Sequence, residues 1–134
     1  MMSFDEDGLL SELGPLVAVV VPDTVRTDMH LVGELDFGTA QILHTLIEQQ
    51  IATGHLEVRL DLADLRFCDV FGLRALLRAR RRLAAADGQL VLLRPGPLLV
   101  RLATLCGWSA ELGMQANGGR PLSAVPTPRP EPAA

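Results

Sequence analysis

The sequence predicts one α/β domain in which strands and helices alternate along a mixed sheet. Three observations predict it: apolar runs of strand length bounded by Gly or Pro, intervening segments with the three- and four-residue spacing of a helical face, and a first connection too short for a crossover. The predicted order is strand, strand, helix, strand, helix, strand, helix and a weak last strand. This order predicts a mixed sheet of roughly four to five strands, with only the first strand antiparallel, and about three to four helices.

Two strands and a helix are predicted in the first half of the chain. The β-branched run at 16–21 ends at a Pro-Asp-Thr turn, and residues 29–35 form a second strand. From 37 to 53, apolar residues recur at helical spacing. Asp36 is placed to cap that helix by accepting hydrogen bonds from its first amides, and Gly54 is placed to end it.

The second half predicts two more strands and two more helices. Residues 56–62 alternate apolar and charged side chains, whereas 89–93 is a continuous apolar run, as expected for a strand covered on both faces. A helix is predicted over 71–86 and a shorter one over 97–105. The inward residues expected in the longer helix are Leu73, Leu76, Leu77, Leu83 and Ala84, with Arg74, Arg78, Arg81 and Arg82 toward solvent. The apolar stripe expected in the shorter helix is Leu98, Leu99, Leu102 and Leu105.

The ends of the chain are predicted to lie outside the domain. Residues 1–14 are polar and Gly-containing, which is typical of a flexible lead-in. A weak last strand is predicted at 108–116, so the single domain covers 15–116. Residues 117–134 are predicted to be a disordered tail, because five of the last fourteen residues are proline.

Composition excludes several classes of function. A chain of 134 residues, of which 49% are hydrophobic and 21% charged, can bury one core and not two. All 12 basic residues are Arg and the net charge is −4, which argues against general nucleic-acid binding because that needs a surplus of positive charge. No apolar run approaches the length of a membrane span, and the acidic N-terminus is unlike a signal peptide, so a cytoplasmic location is expected.

The patterns typical of enzymes and metal sites are weak or missing. No nucleophile elbow or phosphate-binding glycine loop occurs. His44 with Glu48, and Asp61 with Asp64, are each too few to complete a metal site. The two cysteines lie far apart and are expected to be buried reduced thiols. Neither an enzyme, a cofactor nor a metal ion is expected.

The strand-to-helix junction at Asp69 is the strongest candidate site. Asp69 stands where it would cap the helix, and Val70 and Phe71 then lie exposed at the helix start. The alternative places Phe71 in the core beside Phe67. Exposure is preferred because the leucines of this helix already define an inward face, and an exposed Phe is a large rigid group suited to a protein interface.

Three segments then carry a resemblance to a known family. Residues 60–73 (LDLADLRFCDVFGL) resemble the signature of STAS domains, the family of bacterial anti-sigma factor antagonists. Residues 33–36 (GELD) resemble an earlier segment of that family, and residues 97–108 (PLLVRLATLCGW) its third helix. Together they cover about residues 15–115 in the right order. The resemblance implies the STAS fold and a transcription regulator whose partner is an anti-sigma factor or a related kinase-like switch protein.

One departure from the family pattern concerns its phosphorylation switch. Family members carry Asp-Ser-Ser-Gly-Leu or Asp-Ser/Thr-x-Gly-Leu at the helix start, and a partner kinase commonly phosphorylates the second Ser. Asp69, Gly72 and Leu73 match, whereas Phe71 holds the phosphoacceptor position and Val70 the neighbouring one, so no switch by phosphate is expected there. The residues expected to bind the partner are Asp36, Asp69, Val70, Phe71, Gly72, Leu73 and Arg74.

Several alternatives stay open at this point. The domain could be an adaptor subunit of a transport system or signalling scaffold, or a small-anion or nucleotide sensor that uses the helix end and Arg74. A homodimer through the edge strand or the Phe71 surface is a further alternative. The arginines at 78–82 are either a docking stripe or a solvated face.

Overall fold

The computed structural model describes residues 15–114, which form four strands and four helices. In chain order they are β1 (Leu16–Pro22), β2 (Arg26–Leu35), α1 (Ala40–Ala52), β3 (Glu57–Cys68), α2 (Val70–Ala85), β4 (Gln89–Leu93), α3 (Pro97–Leu105) and α4 (Ser109–Leu112). The predicted lead-in at 1–14 and the Pro-rich tail at 117–134 lie outside the described residues, so both stay predictions.

The four strands form one mixed sheet in the order β1-β2-β3-β4. β1 is antiparallel to β2, and the other two pairs are parallel, which confirms the predicted α/β class and the antiparallel first strand. Gly33 permits the start of β1 to lie against β2. Its φ is 119°, and a Cβ there would stand 2.0 Å from the carbonyl oxygen of Pro15.

The helices pack against one face of the sheet. Because β2, β3 and β4 are neighbours in chain order, right-handed connections place α1 and α2 on the same side. Alternate residues of β2 and β3, such as Leu31 and Leu60, are buried under these helices. Among the described residues no helix covers the opposite face, where Val19 and Val21 of β1 are exposed. Nor is any helix within 15–114 both long and apolar enough to cross a membrane.

The strands β2 and β3 are longer than predicted and the first helix is shorter. β2 begins at Arg26 rather than 29, and β3 continues to Cys68 rather than ending at 62. β3 continues because the end of β2 offers it a parallel partner, through register shifts that follow His30 and Gly33. α1 begins at Ala40 rather than 37, because a turn occupies residues 36–39.

The predicted last strand is wrong. After the left-handed Gly107, the chain forms the short helix α4, which ends at Gly113 with a φ of 72°. Leu112 and Met114 are buried in the core, and α4 packs against α2 and α3 rather than extending the sheet. The sheet therefore has four strands within the described residues.

The predicted apolar faces needed three corrections. In α3, Leu98 is 80% and Leu105 76% exposed, whereas Leu99 and Ala103, four residues apart, are buried. In α2, Ala84 is exposed, and smaller residues share the inward face with the leucines. β4 is not covered on both faces, because its outermost residue Gln89 is exposed and only alternate leucines are buried.

Candidate functional site

The candidate site lies at the carboxyl ends of β2 and β3. Leu35 and Cys68, the last residues of these strands, are paired in the parallel register. The chain leaves β2 into the turn that starts at Asp36, and leaves β3 directly into α2 at Asp69. Both aspartates therefore lie at the same edge of the sheet, which is where ligands and partners commonly bind in folds of this kind.

Asp69 is the N-cap of α2. Its backbone is extended, with φ −100° and ψ −171°, and its Oδ1 accepts a hydrogen bond of 2.9 Å from the amide of Gly72. This bond satisfies one of the amides that the first turn of a helix leaves without a partner. Asp69 therefore fixes where α2 begins and which residues, Val70 and Phe71, stand at its tip.

Gly72 allows the first turn of α2 to lie directly on the end of β2. A Cβ at this position would stand 2.0 Å from the carbonyl oxygen of Leu35 and 2.9 Å from Sγ of Cys68. No side chain fits in that space, so only glycine permits the contact. The close approach places the start of α2 beside the turn that follows β2.

Asp36 does not cap α1 in the way the sequence predicted. The N-cap is Thr39, and Asp36 instead organises the turn before the helix. Asp36 Oδ1 accepts hydrogen bonds from the amides of Gly38 at 3.0 Å and Thr39 at 3.2 Å. The Thr39 hydroxyl accepts a bond from the Asp36 amide and donates one of 2.9 Å to the carbonyl oxygen of Glu34. The turn is therefore tied down by its own polar groups, which holds Phe37 at its tip.

Two phenylalanines meet at the surface of this site. The rings of Phe37 and Phe71 contact edge to face, with centroids 5.2 Å apart and planes inclined by 70°. Phe37 is 75% exposed, Phe71 46% and Val70 37%. Arg74 lies one turn further along α2, with its Cζ 5.7 Å from the centre of the Phe71 ring. The prediction that Phe71 is exposed is confirmed, and together these four residues form what we call the aromatic surface: Phe37, Val70, Phe71 and Arg74.

Two of the sequence-predicted site residues do not reach the surface. Gly72 and Leu73 are buried, so they support the helix start from below. Phe37, which is more exposed than Phe71, was not predicted as a site residue. The available signal was its position directly after Asp36, at the end of the strand that neighbours β3.

The thiol of Cys68 lies beneath the helix start. Burial is the main reason that its pKa is raised to about 12, and the negative charges of Asp69 and Asp36 add to the effect. Its Sγ faces the carbonyl oxygen of Asp69 at 3.6 Å. The thiol therefore stays protonated at neutral pH, which removes it as a nucleophile at this site.

The electrostatics of the site do not favour an anion. The carboxylates of Asp69 and Asp36 already accept hydrogen bonds from the amides at the two turns. An incoming phosphate would be repelled by both of these negative charges. The guanidinium of Arg74, the basic residue of the aromatic surface, faces the Phe71 ring. The arrangement suits an apolar contact better than the anion sensor that the sequence left open.

The carboxylates that the sequence analysis considered as weak metal ligands are paired with basic side chains. Glu48, which was considered as a metal ligand together with His44, accepts hydrogen bonds of 2.7 and 3.1 Å from Arg82. Asp61 is paired with Arg94, and Asp64 Oδ2 lies 2.7 Å from His30 Nε2. Within residues 15–114 no group of three or more His, Cys, Asp or Glu side chains is placed to hold a metal ion.

Comparison with known proteins identifies one family. The family model described as "STAS domain" matches residues 16–118, which is most of the chain. No curated protein matches the chain.

Solved structures share the fold. An anti-sigma factor antagonist from Mycobacterium paratuberculosis is 23% identical, with a TM-score of 0.62 over 72% of this chain and 81% of that one. SpoIIAA, a Bacillus cell fate determinant solved in its phosphorylated form, is 23% identical, with a TM-score of 0.58 over 70% of this chain and 86% of that one. Mglu is 29% identical over 59% of this chain with a TM-score of 0.51, but the chain spans only 20% of the length of Mglu.

Proposed function

This chain belongs to the STAS domain family, and from that premise we propose that it is a non-enzymatic anti-sigma factor antagonist. Its partner in this proposal is an anti-sigma factor or a related kinase-like switch protein. The family match and the likeness to SpoIIAA and the mycobacterial antagonist support the fold and the class of protein. The role of particular residues rests on the aromatic surface.

The observation that carries the proposal is the exposed contact between Phe37 and Phe71. Large aromatic side chains at a surface supply much of the binding energy in protein interfaces. Here the two rings contact each other with centroids 5.2 Å apart. Phe37 stands on a turn held by hydrogen bonds to the Asp36 carboxylate, and Phe71 stands on a helix start capped by the Asp69 carboxylate. A surface held in place before binding loses less conformational entropy on contact. The aromatic surface is therefore suited to bind a protein that presents an apolar pocket.

We further propose that the partner is not released by phosphorylation at the usual position. Phe71 and Val70 carry no hydroxyl group. Thr39 lies in the turn beside them and only 3% of this residue is exposed. Its hydroxyl donates a hydrogen bond to the carbonyl oxygen of Glu34. A kinase would have to open that turn before it could reach the hydroxyl. Binding is therefore constitutive in this proposal, with no negative charge added to the helix start.

The binding test compares Phe71→Asp with Leu105→Asp in calorimetric titrations against candidate anti-sigma factors. Phe71 is the second residue of α2, where an Asp is compatible with the helix dipole, so the variant should fold. We expect Phe71→Asp to weaken binding by about 30-fold or more, because an interface anchor of this kind contributes about 2 kcal/mol or more. Leu105→Asp adds the same charge at an exposed apolar position at the far end of α3, and should bind normally.

Equal affinity of the wild-type protein and Phe71→Asp would contradict the role given to the aromatic surface. Recovery of membrane ATPase components, with no anti-sigma factor, in pull-downs from the native host would favour a transport adaptor instead. Far-ultraviolet circular dichroism of both variants checks that each keeps its helices.

Phosphorylation is tested separately with a serine kinase of the anti-sigma class and ATP. We expect mass spectrometry to find no phosphate on the peptide that spans residues 69–73 of the wild-type protein. Phe71→Ser places a hydroxyl at the family's phosphoacceptor position and serves as the positive control, which should become phosphorylated. A phosphopeptide from the wild-type segment would contradict the proposal.

A further inference from the structure

A groove runs along the surface between α1 and α2, apart from the aromatic surface. It encloses about 310 Å³. Its floor is apolar, with Ala40 and Ile47 from α1 and Ala75 and Ala79 from α2. Its rim is basic, with Arg78, Arg81 and Arg82 on one side and His44 on the other. We propose that this groove binds a medium-chain carboxylate, with the alkyl chain on the floor and the carboxylate at Arg78.

The groove exists because small residues face each other where two helices pack. Ala75 and Ala79 are four residues apart and so lie on one side of α2, toward Ala40 of α1. Each contributes only a methyl group, so the space that larger side chains would fill stays open. Ile47, which is buried, closes the floor further along α1. The volume falls at the lower end of the range of about 300–1,000 Å³ for small-molecule sites.

The rim offers one guanidinium that is not already engaged. Arg81 donates two hydrogen bonds to Glu111, at 2.7 and 3.0 Å, and Arg82 donates two to Glu48, at 2.7 and 3.1 Å. Arg78 is exposed and makes no hydrogen bond or ion pair with any residue of the described range 15–114. A guanidinium binds a carboxylate through two parallel hydrogen bonds. The charge pattern therefore matches a ligand with one anionic head and one apolar chain.

The same pattern is less suited to an acidic helix of a protein. Such a helix would present several carboxylates, and Arg81 and Arg82 would have to leave their present partners to meet them. A stable protein interface also covers about 800 Å² on each partner, which extends well beyond a groove this size. The inference goes beyond the proposed function and does not depend on it, because the groove is built from residues outside the aromatic surface.

The test titrates sodium decanoate into the full chain, followed by calorimetry and by amide chemical shifts. We expect saturable binding, with the largest shifts at Ala40, Ala75 and Ala79. Octanoate should bind about 15-fold more weakly, because each of the two methylene groups that leave the apolar floor contributes about 0.8 kcal/mol. Decyltrimethylammonium, which has the same chain and the opposite charge, should not bind.

Variants then separate the head from the chain. Arg78→Gln should weaken decanoate binding by about threefold to tenfold, because the charged hydrogen bonds are lost. Arg101→Gln removes an exposed arginine from α3 and should change nothing. Ala79→Leu fills the floor of the groove and should abolish decanoate binding. If Ala79→Leu fails to fold, Arg78→Gln still tests the proposal, because Arg78 is exposed and its replacement does not alter the core.

Three outcomes would overturn the inference. One is the absence of saturable decanoate binding. Another is nonspecific apolar association. Either equal binding of decanoate by the wild-type protein and Arg78→Gln, or binding of decyltrimethylammonium as strong as that of decanoate, would show it. The third is that an acidic amphipathic peptide shifts the groove amides while decanoate does not, which would identify the groove as a protein-docking surface.

Discussion

At the scale of single residues, Gly72 determines whether the site can form. An added Cβ would stand 2.0 Å from the carbonyl oxygen of Leu35, and backbone atoms cannot move aside as a flexible side chain can. We expect Gly72→Ala to lower the free energy of unfolding by about 1–3 kcal/mol, the usual cost of forcing extra volume into a packed region. Urea denaturation measures the change.

The matched control for Gly72 is Gly96→Ala. Gly96 precedes α3, and a Cβ added there would meet nothing within 4 Å. Its φ of −70° is also accessible to alanine. Alanine caps a helix less well than glycine, but it also loses less conformational entropy on folding, so the stability of this variant should stay within about 0.5 kcal/mol of wild type. A Gly72→Ala protein as stable as Gly96→Ala would show that the helix start can move away from β2.

Cys68 should be a slow thiol. With a pKa raised from 9.0 to about 12, its thiolate fraction at pH 8 is about a thousandfold below that of an ordinary cysteine. We expect iodoacetamide to label Cys68 about a thousandfold more slowly in the native protein than in urea, with peptide mass spectrometry distinguishing it from Cys106. The raised pKa also stabilises the fold below pH 9, and this contribution is lost as pH rises from 9 toward 12, since the unfolded thiol ionises first. Equal labelling rates in native protein and in urea would contradict this.

The residues of the site differed in how far the sequence could reveal them. Asp69, Val70 and Phe71 could be predicted because capping and exposure follow from local spacing along one helix. Phe37 was missed, because its position after Asp36 does not by itself show the contact with Phe71, which depends on the register that brings Leu35 opposite Cys68. The role of Asp36 was misassigned since its distance from the helix depends on a turn whose geometry involves the Thr39 hydroxyl.

At the scale of elements, the start of α2 depends on the Asp69 cap. We expect Asp69→Ala to lower the free energy of unfolding by about 1 kcal/mol, because the Gly72 amide loses its acceptor. Asp69→Asn keeps an acceptor and is an equally good cap, so it should cost only a few tenths of a kcal/mol through the lost charge. Chemical denaturation of the two variants separates the hydrogen bond from the charge. Equal losses in both would mean that the cap contributes little through its hydrogen bond.

The features that were predicted wrongly from the sequence are those decided by distant contacts. The periodicity of α2 is strong, and its predicted limits differ from the observed ones by a single residue at each end. In α3, spacing alone allowed either face to be inward, and packing against α2 and α4 selects Leu99 and Ala103 over Leu98 and Leu105. The segment after Gly107 has too few residues for a periodic signal. It becomes the helix α4 because that conformation buries Leu112 and Met114 in the core.

At the scale of the whole molecule, the sheet has one face packed by helices and one face that no described helix covers. The alternation in β3 predicted which side chains are inward, and Val58, Leu60 and Leu62 are all buried. What the sequence could not show is that the charged residues of the other face pair across strands. Asp28 accepts a hydrogen bond of 3.0 Å from Arg59 on the neighbouring strand, and Asp61 joins Arg94, just after β4, to His30 of β2. These pairs link the strands on the face that no helix within residues 15–114 covers.

Asp61 is the centre of this network, and the free energy of unfolding should depend on whether its carboxyl group is ionised. Burial, the largest single influence, opposes ionisation. The hydrogen bond from Arg94, the amide of Ala63, and the charges of Arg94 and His30 together outweigh it, so the pKa of Asp61 lies below its usual 3.8. A lowered pKa stabilises the fold above pH 3.8, and this contribution is lost as pH falls through the pKa of the folded state.

Arg94→Gln tests this coupling. Arg94 has a φ of 53°, which Gln tolerates no worse than Arg, so the backbone should not change. We expect the variant to be less stable than wild type at pH 7, with the difference in unfolding free energy shrinking toward zero as pH falls below about 3.8. Arg101→Gln, an exposed arginine with no carboxylate partner in the described range, controls for the loss of one positive charge. A stability difference that is the same at pH 7 and pH 3 would mean that Arg94 acts through packing rather than through the charge of Asp61. The ion pair between Arg94 and Asp61 would then add nothing to the pairing of β3 with β4.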